Sequence, residues 1–446
     1  MTRLFQKRYF RRVDEVAAWR LCTGCGACVS ACKENAIDLV NIIELGIRPK
    51  IDPTKCKECG ECIAVCPGIE IYHQQLNKQT IPKLRKAWGP ILEVWEGYAT
   101  DPEIRFKGSS GGATTALALS CLENENVAGV LHICADPQNP LQNTTVFSKN
   151  KEELLMCTGS RYSPAAPCEK LKWIQQASLP CVFIGKPCDI AALRKLQAVD
   201  PTLSAKVHLA ISIFCAGTPT TRGTLEVLKA LDVAPEKALE VRYRGCGWPG
   251  VTTVKLKGTN GEQREMTYEQ SWGTILSNHC QIRCRLCPDG TGEFADISCG
   301  DPWYQKTERD DPGRSLILIR TERGRESLNK AIESGYLRLT KVQPKLLSRS
   351  QQSLLNKRRN LWGRLLVMRM MHIPVPRYRG FFLFRNWLRL SAIEKLRSLG
   401  GTLKRIILRR WMRPLKTTIK DNRLQDANNA ENFLINFDEY KQQCKV

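Results

Sequence analysis

The chain carries two cysteine runs of identical spacing, Cys22-x-x-Cys25-x-x-Cys28-x-x-x-Cys32 and Cys56-x-x-Cys59-x-x-Cys62-x-x-x-Cys66. Glycines next to the cysteines loosen the turns, so that three sulfurs of each run can converge on one point. In this pattern the fourth cysteine of a run reaches the cluster held by the other run. The spacing therefore predicts two 4Fe–4S clusters and an N-terminal domain of the two-cluster ferredoxin type.

The crossed arrangement assigns four ligands to each predicted cluster. The first set is Cys22, Cys25, Cys28 and Cys66, and the second is Cys56, Cys59, Cys62 and Cys32. Zinc prefers paired Cys-x-x-Cys knuckles to four-cysteine runs. Disulfides need a secreted chain, and residues 1–20 are too polar for a signal peptide. Both alternatives are therefore disfavoured.

The composition points to a cytoplasmic protein with a basic C-terminal part. The chain has 446 residues, 42% of them hydrophobic, and 21 cysteines, which suits a reducing compartment and about three domains. The net charge is +24, of which residues 345–446 carry +17, from 23 Lys and Arg against 6 Asp and Glu. No window of 18 uncharged apolar residues occurs, so no transmembrane helix is expected.

After residue 90 the pattern alternates between strands, polar loops and helices. Strand patterns occur at 91–98, 129–134, 181–184, 207–214 and 315–320, and helical patterns at 114–122, 190–197, 221–231 and 323–334. This alternation indicates βαβ units, a largely parallel sheet and ligand-binding loops at the carboxyl ends of its strands. Residues 239–276 read as a β-rich insertion.

We therefore predict a combined α+β and α/β fold with four segments. The boundaries are 1–85 for the ferredoxin-like domain, 90–176 and 177–344 for the two parts of a mixed α/β domain that is a candidate for binding a flavin or a nucleotide, and 345–446 for a basic, largely helical tail.

Three loops of the α/β segment are candidate binding sites for a flavin or a nucleotide. The first is Gly108-Ser109-Ser110-Gly111-Gly112, where glycines and a following helix N-terminus favour a phosphate, although a structural turn explains the glycines equally well. In the second loop Gly159 and Ser160 precede Arg161, which could pair with a phosphate or an anionic flavin, and Tyr162, which could stack on its ring; a surface turn is the alternative. Lys186, directly after a strand, is the third candidate.

A third cysteine group follows at Cys280, Cys284 and Cys287. Such close spacing predicts a third 4Fe–4S cluster, with a zinc knuckle or a structural cysteine set as the alternatives. Cys299 is the most natural fourth ligand by spacing, and Cys215 and Cys246 are alternatives. No residue is singled out as catalytic.

Together these segments resemble the beta-subunit family of coenzyme F-420 hydrogenases and dehydrogenases across about residues 20–340. The segments that carry the resemblance are the twin cysteine runs, Gly108–Gly112, Gly159–Tyr162, Gly185-Lys-Pro-Cys-Asp-Ile-Ala-Ala-Leu193, Cys284-Arg-Leu-Cys-Pro-Asp289 and Ala295–Ser298. The family also includes the ferredoxin-dependent 7-hydroxymethyl chlorophyll a reductase.

The resemblance implies an oxidoreductase that binds FAD on the α/β domain beside the clusters. In such proteins the deazaflavin F-420 exchanges a hydride with the flavin, and the clusters carry single electrons. The implied partners are a redox carrier, namely deazaflavin, ferredoxin or NAD(P)H, and a partner enzyme subunit. A ferredoxin-driven reductase of a pigment or polysaccharide precursor and a non-catalytic electron-transfer subunit remain alternatives.

The basic tail mixes arginines with bulky apolar residues at 380–390 and 403–412. This composition is typical of an amphipathic helix on an anionic membrane surface, and equally of a helix pair packed on the protein itself or on an acidic partner. Nucleic-acid binding is not expected, because no recognised module accompanies the charge.

Overall fold

The computed structural model describes residues 10–73, 79–305 and 311–415. Its N-terminal part contains α1 (Val13–Ala18), α2 (Ala27–Ala31), the antiparallel hairpin β1 (Ile37–Ile42) and β2 (Gly46–Ile51), α3 (Glu61–Ala64) and β3 (Glu70–Tyr72). The two cysteine runs adopt the same local structure, because Gly26 and Gly60 each precede a short helix with a left-handed φ, 85° and 81°. The antiparallel hairpin lies between the two runs.

The middle of the chain forms two sheets. Its strands are β4 (Glu93–Ala99), β5 (Val130–Ala135), β6 (Asn143–Ser148), β7 (Cys181–Gly185), β8 (Val207–Ile213), β9 (Ala238–Arg242), β10 (Val251–Leu256), β11 (Gln263–Thr267), β12 (Ile297–Gly300), β13 (Ser315–Ile319) and β14 (Leu337–Lys341). Within the described residues the larger sheet has the order β14-β4-β13-β12-β8-β7-β5-β6, and β9–β11 form a separate three-stranded sheet.

Helices cover the larger sheet. They are α4 (Pro82–Trp88), α5 (Pro102–Lys107), α6 (Ala113–Asn124), α7 (Lys151–Met156), α8 (Leu171–Gln176), α9 (Pro187–Gln197), α10 (Pro201–Lys206), α11 (Thr221–Ala230), α12 (Ile282–Arg285) and α13 (Glu322–Glu333). The helix α9 begins sharply, because Pro187 occupies its first turn and the Asp189 carboxylate accepts the Lys186 backbone N–H at 2.9 Å.

The larger sheet is mixed, which corrects the expectation of a largely parallel one. The strands β5, β7, β8 and β12 run parallel, whereas β6, β13, β4 and β14 are joined by antiparallel pairing. The chain reverses directly between β5 and β6 and between β12 and β13, without a crossover helix. The alternating strand pattern correctly predicted the parallel centre, but it contained no signal for these reversals.

The C-terminal segment packs on the N-terminal part. It contains α14 (Lys345–Ser350), α15 (Gln352–Met370), β15 (Arg377–Arg379), α16 (Leu383–Leu388) and α17 (Ala392–Leu408), and β15 pairs in parallel with β3. Leu361 and Leu365 of α15 share one buried core with Val16 and Ile63. No helix among the described residues combines the length and the apolar character that crossing a bilayer requires.

Candidate functional site

The first predicted ligand set lies around one cavity. Its lining includes all four sulfur-bearing residues, Cys22, Cys25, Cys28 and Cys66, together with apolar side chains such as Val16 and Leu39. The Gly24 backbone N–H donates to the Cys22 sulfur at 3.3 Å, which is the kind of contact that stabilises a cluster thiolate. Burial raises the pKa of the Cys66 thiol to about 12, so ionising it requires a cation such as cluster iron.

The second predicted set surrounds a second cavity of the same construction. Cys32, Cys56, Cys59 and Cys62 all line it. The Ala36 backbone N–H donates to the Cys32 sulfur at 3.3 Å, and burial raises the pKa of the Cys62 thiol to about 11. Each cavity thus combines three cysteines of one run with the last cysteine of the other, as the crossed assignment requires.

A third group of cysteines gathers where β8 ends. The Thr218 backbone N–H donates to the Cys284 sulfur at 3.3 Å, and a Cβ on Gly217 would lie 2.8 Å from the Cys280 sulfur, so the loop after Cys215 presses directly on this group. Burial, together with the adjacent Cys284 and Cys287, raises the pKa of the Cys215 thiol to about 12. The chain therefore brings four partly buried cysteines together here.

Arg283 lies near both the third group and the first cavity. Its side chain is 2% exposed, and Nη2 donates to the Pro67 carbonyl at 3.0 Å. Within the described part of the chain, Nε and Nη1 have no hydrogen-bond partner. The guanidinium is close enough to interact electrostatically with both Cys22 and Cys287. A buried cation with unused N–H groups fits anionic clusters nearby.

The two predicted glycine loops meet beside β9. The Ser160 backbone N–H donates to the Ser109 hydroxyl, and Ser110 donates to the Arg314 carbonyl at 2.6 Å. The short helix α5 separates β4 from the first loop, and Gly112, with φ 72°, leads into α6. A Cβ on Gly112 would lie 2.6 Å from the Ile104 carbonyl oxygen, so chain packing alone requires this glycine.

The sequence model described as coenzyme F420 hydrogenase/dehydrogenase, beta subunit, matches in both its parts. The N-terminal part covers residues 94–172, and the C-terminal part covers residues 180–345, together more than half of the chain. The chain belongs to this family. Residues 21–68 also match a 4Fe–4S dicluster domain, so the beta-subunit fold here follows an iron–sulfur domain that contains both cysteine runs.

Relatives of the chain include three proteins from methanogens. An uncharacterised protein of Methanocaldococcus jannaschii is 25% identical, over 74% of this chain and 92% of its own length. The coenzyme F420 hydrogenase subunit beta of Methanococcus voltae is 28% identical, over 62% of this chain and 95% of its own. The coenzyme F420-dependent sulfite reductase of M. jannaschii is 26% identical over 73% of this chain, which spans about half of that relative's length.

One solved structure resembles the larger part of the chain. It is a chain of the F420-reducing hydrogenase complex from Methanosarcina barkeri, with 22% identity and a TM-score of 0.48. The match covers 62% of this chain and 94% of that one.

Cys299 lies apart from the third cysteine group. It sits on β12 within the core between the sheet and α6, where its thiol lies beside Thr114. Cys246 is exposed in the loop after β9. Cys215, one of the two alternatives that the sequence left open, lies near Cys280, Cys284 and Cys287. The spacing suggested Cys299 because it is near in sequence, but the alternation of side chains along β12 turns it to the other face of the sheet.

The Arg161 side chain connects neighbouring segments of the protein through hydrogen bonds and does not face an open site. Its Nε donates to the Asn143 amide oxygen at 2.7 Å, and its Nη2 donates to the carbonyls of Pro140 and Gln142 at 2.8 and 3.1 Å. The guanidinium also binds the Val241 carbonyl. These contacts use four of its five N–H donors and link two loops to β9, and the contact with a phosphate or a flavin stays a prediction.

The neighbouring Tyr162 enters an aromatic group. Its ring lies 4.7 Å from Trp272 and 5.9 Å from Tyr243. Beside it, Arg244 is buried and forms a bidentate ion pair with Asp301, at 3.0 and 2.8 Å. Asp301 is therefore a fully engaged acceptor in an aromatic surrounding.

Lys186 faces the third cysteine group. Its Nζ lies 2.7 Å from the Asp189 carboxylate and 3.2 Å from the Ala165 carbonyl, and Cys188 and Cys215 are close by. Burial alone lowers the pKa of this amine, but Asp189 outweighs burial and raises it, so the lysine stays charged. A fixed ammonium at this position suits an anionic cluster or cofactor.

The sequence interpretation missed two residues that link the groups. The Cys168 thiol lies beside the Cys25 thiol, and it is 3.4 Å from the Asp189 carbonyl. Arg242 lies beside Gly159, 3.5 Å from the position of an added Cβ, and its buried Nε has no partner within the described chain. A lone cysteine and an arginine in a strand give no local signal, since only the fold brings them to these loops.

Proposed function

We propose that the chain is an iron–sulfur flavoprotein oxidoreductase that passes electrons between a two-electron carrier at FAD and a one-electron partner at the N-terminal clusters. The observation that carries this proposal is that the cysteine groups lie next to one another in the fold. Cys168 touches Cys25 and the Asp189 backbone, and Arg283 lies near both Cys22 and Cys287.

Three ligand sets would hold the clusters. They are Cys22, Cys25, Cys28 and Cys66; Cys32, Cys56, Cys59 and Cys62; and Cys215, Cys280, Cys284 and Cys287. Backbone N–H groups of Gly24, Ala36 and Thr218 donate to sulfurs of the three sets. Such donors stabilise the anionic clusters, and Arg283 supplies a positive charge near two of them.

The glycine loops at 108–112 and 159–160, together with Arg242, would hold the flavin. The Arg242 Nε lies beside Gly245 and has no partner within the described chain, which supports an anionic group near this point, because a buried N–H without an acceptor is costly. A bound flavin supplies the ability to take two electrons at once and release them singly. Lys186 keeps a positive charge on the side of the glycine loops that faces the third cysteine group.

Coenzyme F420 is the carrier we propose, since the related proteins include a coenzyme F420 hydrogenase subunit beta and an F420-dependent formate dehydrogenase subunit beta. NAD(P)H and ferredoxin are the carriers to be compared with it. The test is anaerobic purification, counting of iron, sulfide and flavin, and spectroscopic titration with each donor. We expect about twelve iron atoms and one flavin per chain. Protein without flavin that no donor reduces would overturn the proposal.

A non-catalytic electron-transfer subunit is the second candidate. It is favoured by the subunit names of the relatives, which belong to enzymes of more than one chain. In that case the isolated chain would hold iron and sulfide without flavin, and its clusters would be reduced only when a partner subunit is added. The flavin count therefore separates the two candidates directly.

A further inference from the structure

The C-terminal helices expose an unusual number of large apolar side chains. Among the described residues sixteen such side chains are exposed, and half of them lie between residues 384 and 412. They are Phe384, Leu388, Ile393, Leu396, Leu403, Ile407, Leu408 and Met412. A patch this concentrated on a soluble surface indicates that something covers it.

The helix α17 has polar residues on its protein-facing side and apolar residues on its outward side, the opposite of an ordinary surface helix. Its protein-facing side includes the buried Ser398 and Thr402, which are polar, along with Ile406. Its outward side repeats apolar residues at a spacing of three and four, with Ile393 62% exposed, Leu396 68% and Ile407 57%. A helix that needed only its own protein as a partner would carry the apolar residues on the inside.

The surroundings of this face are strongly basic. Between residues 384 and 413 there are nine Lys and Arg and a single acidic residue, Glu394. Around the helix axis, Lys404 and Arg397 flank the apolar stripe on one side, and Arg409 and Arg410 follow directly after the helix ends at Leu408. An apolar stripe bordered by cations matches the boundary between acyl chains and anionic headgroups.

A second copy of the chain fits this face less well. Docking two such faces would bring two surfaces of net charge +8 together, and the like charges would repel. An acidic protein would satisfy the charges, but the stripe on α17 presents its apolar residues outward along a convex helix.

We propose that α16 and α17 form a docking surface for an anionic lipid membrane, on which α17 lies flat with Ile393, Leu396, Leu403 and Ile407 buried at the headgroup boundary. The buried Trp411 and Phe381 anchor this segment to the body of the protein. The surface would hold the electron-transfer sites next to a membrane without any spanning helix. It does not depend on which carrier the chain uses.

The experiment is flotation of the purified, cluster-containing full chain with lipid vesicles. One set contains phosphatidylcholine alone, and the other contains phosphatidylcholine with about one third phosphatidylglycerol. We expect binding to the anionic vesicles and at least tenfold weaker binding to the neutral ones. Raising the salt concentration should weaken the anionic binding, because the charges are exposed.

Matched variants locate the surface. Leu396→Glu combined with Ile407→Glu should reduce binding to anionic vesicles more than tenfold, whereas Leu239→Glu, at a 56% exposed leucine of β9, should not change it. Lys404→Ala and Arg410→Ala should each weaken binding about fivefold, as expected for one basic charge near the surface. Circular dichroism and iron content check that each variant remains folded.

Three results would overturn the proposal. The first is absence of binding to anionic vesicles by the full chain. The second is equal loss of binding in the β9 control and in the double variant. The third is a lipid-free oligomer that the double variant dissociates, since that result would assign the face to a second copy.

Discussion

The buried guanidinium of Arg358 donates to the carboxylate of Glu293, and this ion pair joins α15 to the loop that follows the third cysteine group. Both side chains are almost fully buried. His73, beyond β3, contacts the other oxygen of Glu293 at 2.8 Å, and its ring stacks on Phe294. One carboxylate thus connects the ferredoxin-like part, the cysteine loop and the C-terminal helices.

Glu293→Gln should destabilise the protein strongly. The substitution leaves the Arg358 charge buried without a counter-charge, which costs about 3 to 5 kcal/mol in the free energy of unfolding. Glu262→Gln breaks an exposed pair with Arg264 and serves as the control, with a cost below about 1 kcal/mol. Denaturant unfolding of the two variants measures the difference, and equal costs would contradict the role given to Glu293.

The difference in the free energy of unfolding between wild type and Glu293→Gln depends on pH through the ionisation of the Glu293 carboxyl. Burial raises its pKa, but Arg358 and His73 outweigh burial and lower it to about 2, below the value of about 4.3 in an unfolded chain. Its stabilisation is therefore complete above about pH 4.3 and disappears as the pH falls toward about 2. The gap in the free energy of unfolding between wild type and Glu293→Gln should therefore narrow as the pH falls from about 4.3 toward about 2. A gap that stays constant across this range would contradict the assignment.

Cys215→Ser should remove one cluster, and Cys299→Ser should not. Cys215 lies with Cys280, Cys284 and Cys287, whereas Cys299 is packed against α6. We expect the first variant to lose about four iron atoms per chain or to hold a degraded cluster, while the second keeps its full iron content. Iron and sulfide analysis with electron paramagnetic resonance measures both, and the reverse outcome would restore Cys299 as the ligand.

Cys215 and Cys299 also show which cluster ligands could be predicted from the sequence and which could not. Both cavities of the N-terminal part combine the cysteines that the spacing assigned to them. A spacing of three residues between cysteines fixes the relative positions of their sulfurs locally. The fourth member of the third group comes from the end of β8, sixty-five residues before Cys280. Its position depends on which strands are neighbours in the sheet, and no local pattern contains that information.

The same distinction separates Arg161 from Arg242. The polar turn around Arg161 was recognisable in the sequence, but its donors are used by oxygens from two other segments, residues 140–143 and β9. Arg242 ends an ordinary strand, and only the meeting of two loops places it beside Gly159. The side of α17 that packs inward became known only from its contacts with α15.

Arg242→Met should weaken flavin binding without removing the clusters. The variant loses the Nε–H beside Gly245, which has no partner among the described residues and supports an anionic group there. Loss of one charge-assisted contact predicts about a tenfold or larger rise in the flavin dissociation constant. Arg242→Lys should recover part of the affinity, and Arg264→Met on exposed β11 should have no effect. A flavin content unchanged in Arg242→Met, with iron intact, would argue against this loop as the flavin site.

Arg283→Met should shift the reduction potential of the clusters beside it to more negative values. Its guanidinium lies near both Cys22 and Cys287, and its positive charge favours the reduced, more negative cluster. We expect a shift on the order of 50 mV, since 59 mV corresponds to a factor of ten for one electron. Arg283→Lys keeps the charge and should shift the potential less. A redox titration followed by electron paramagnetic resonance measures both variants, and an unchanged potential in Arg283→Met with full iron content would show that the guanidinium serves packing alone.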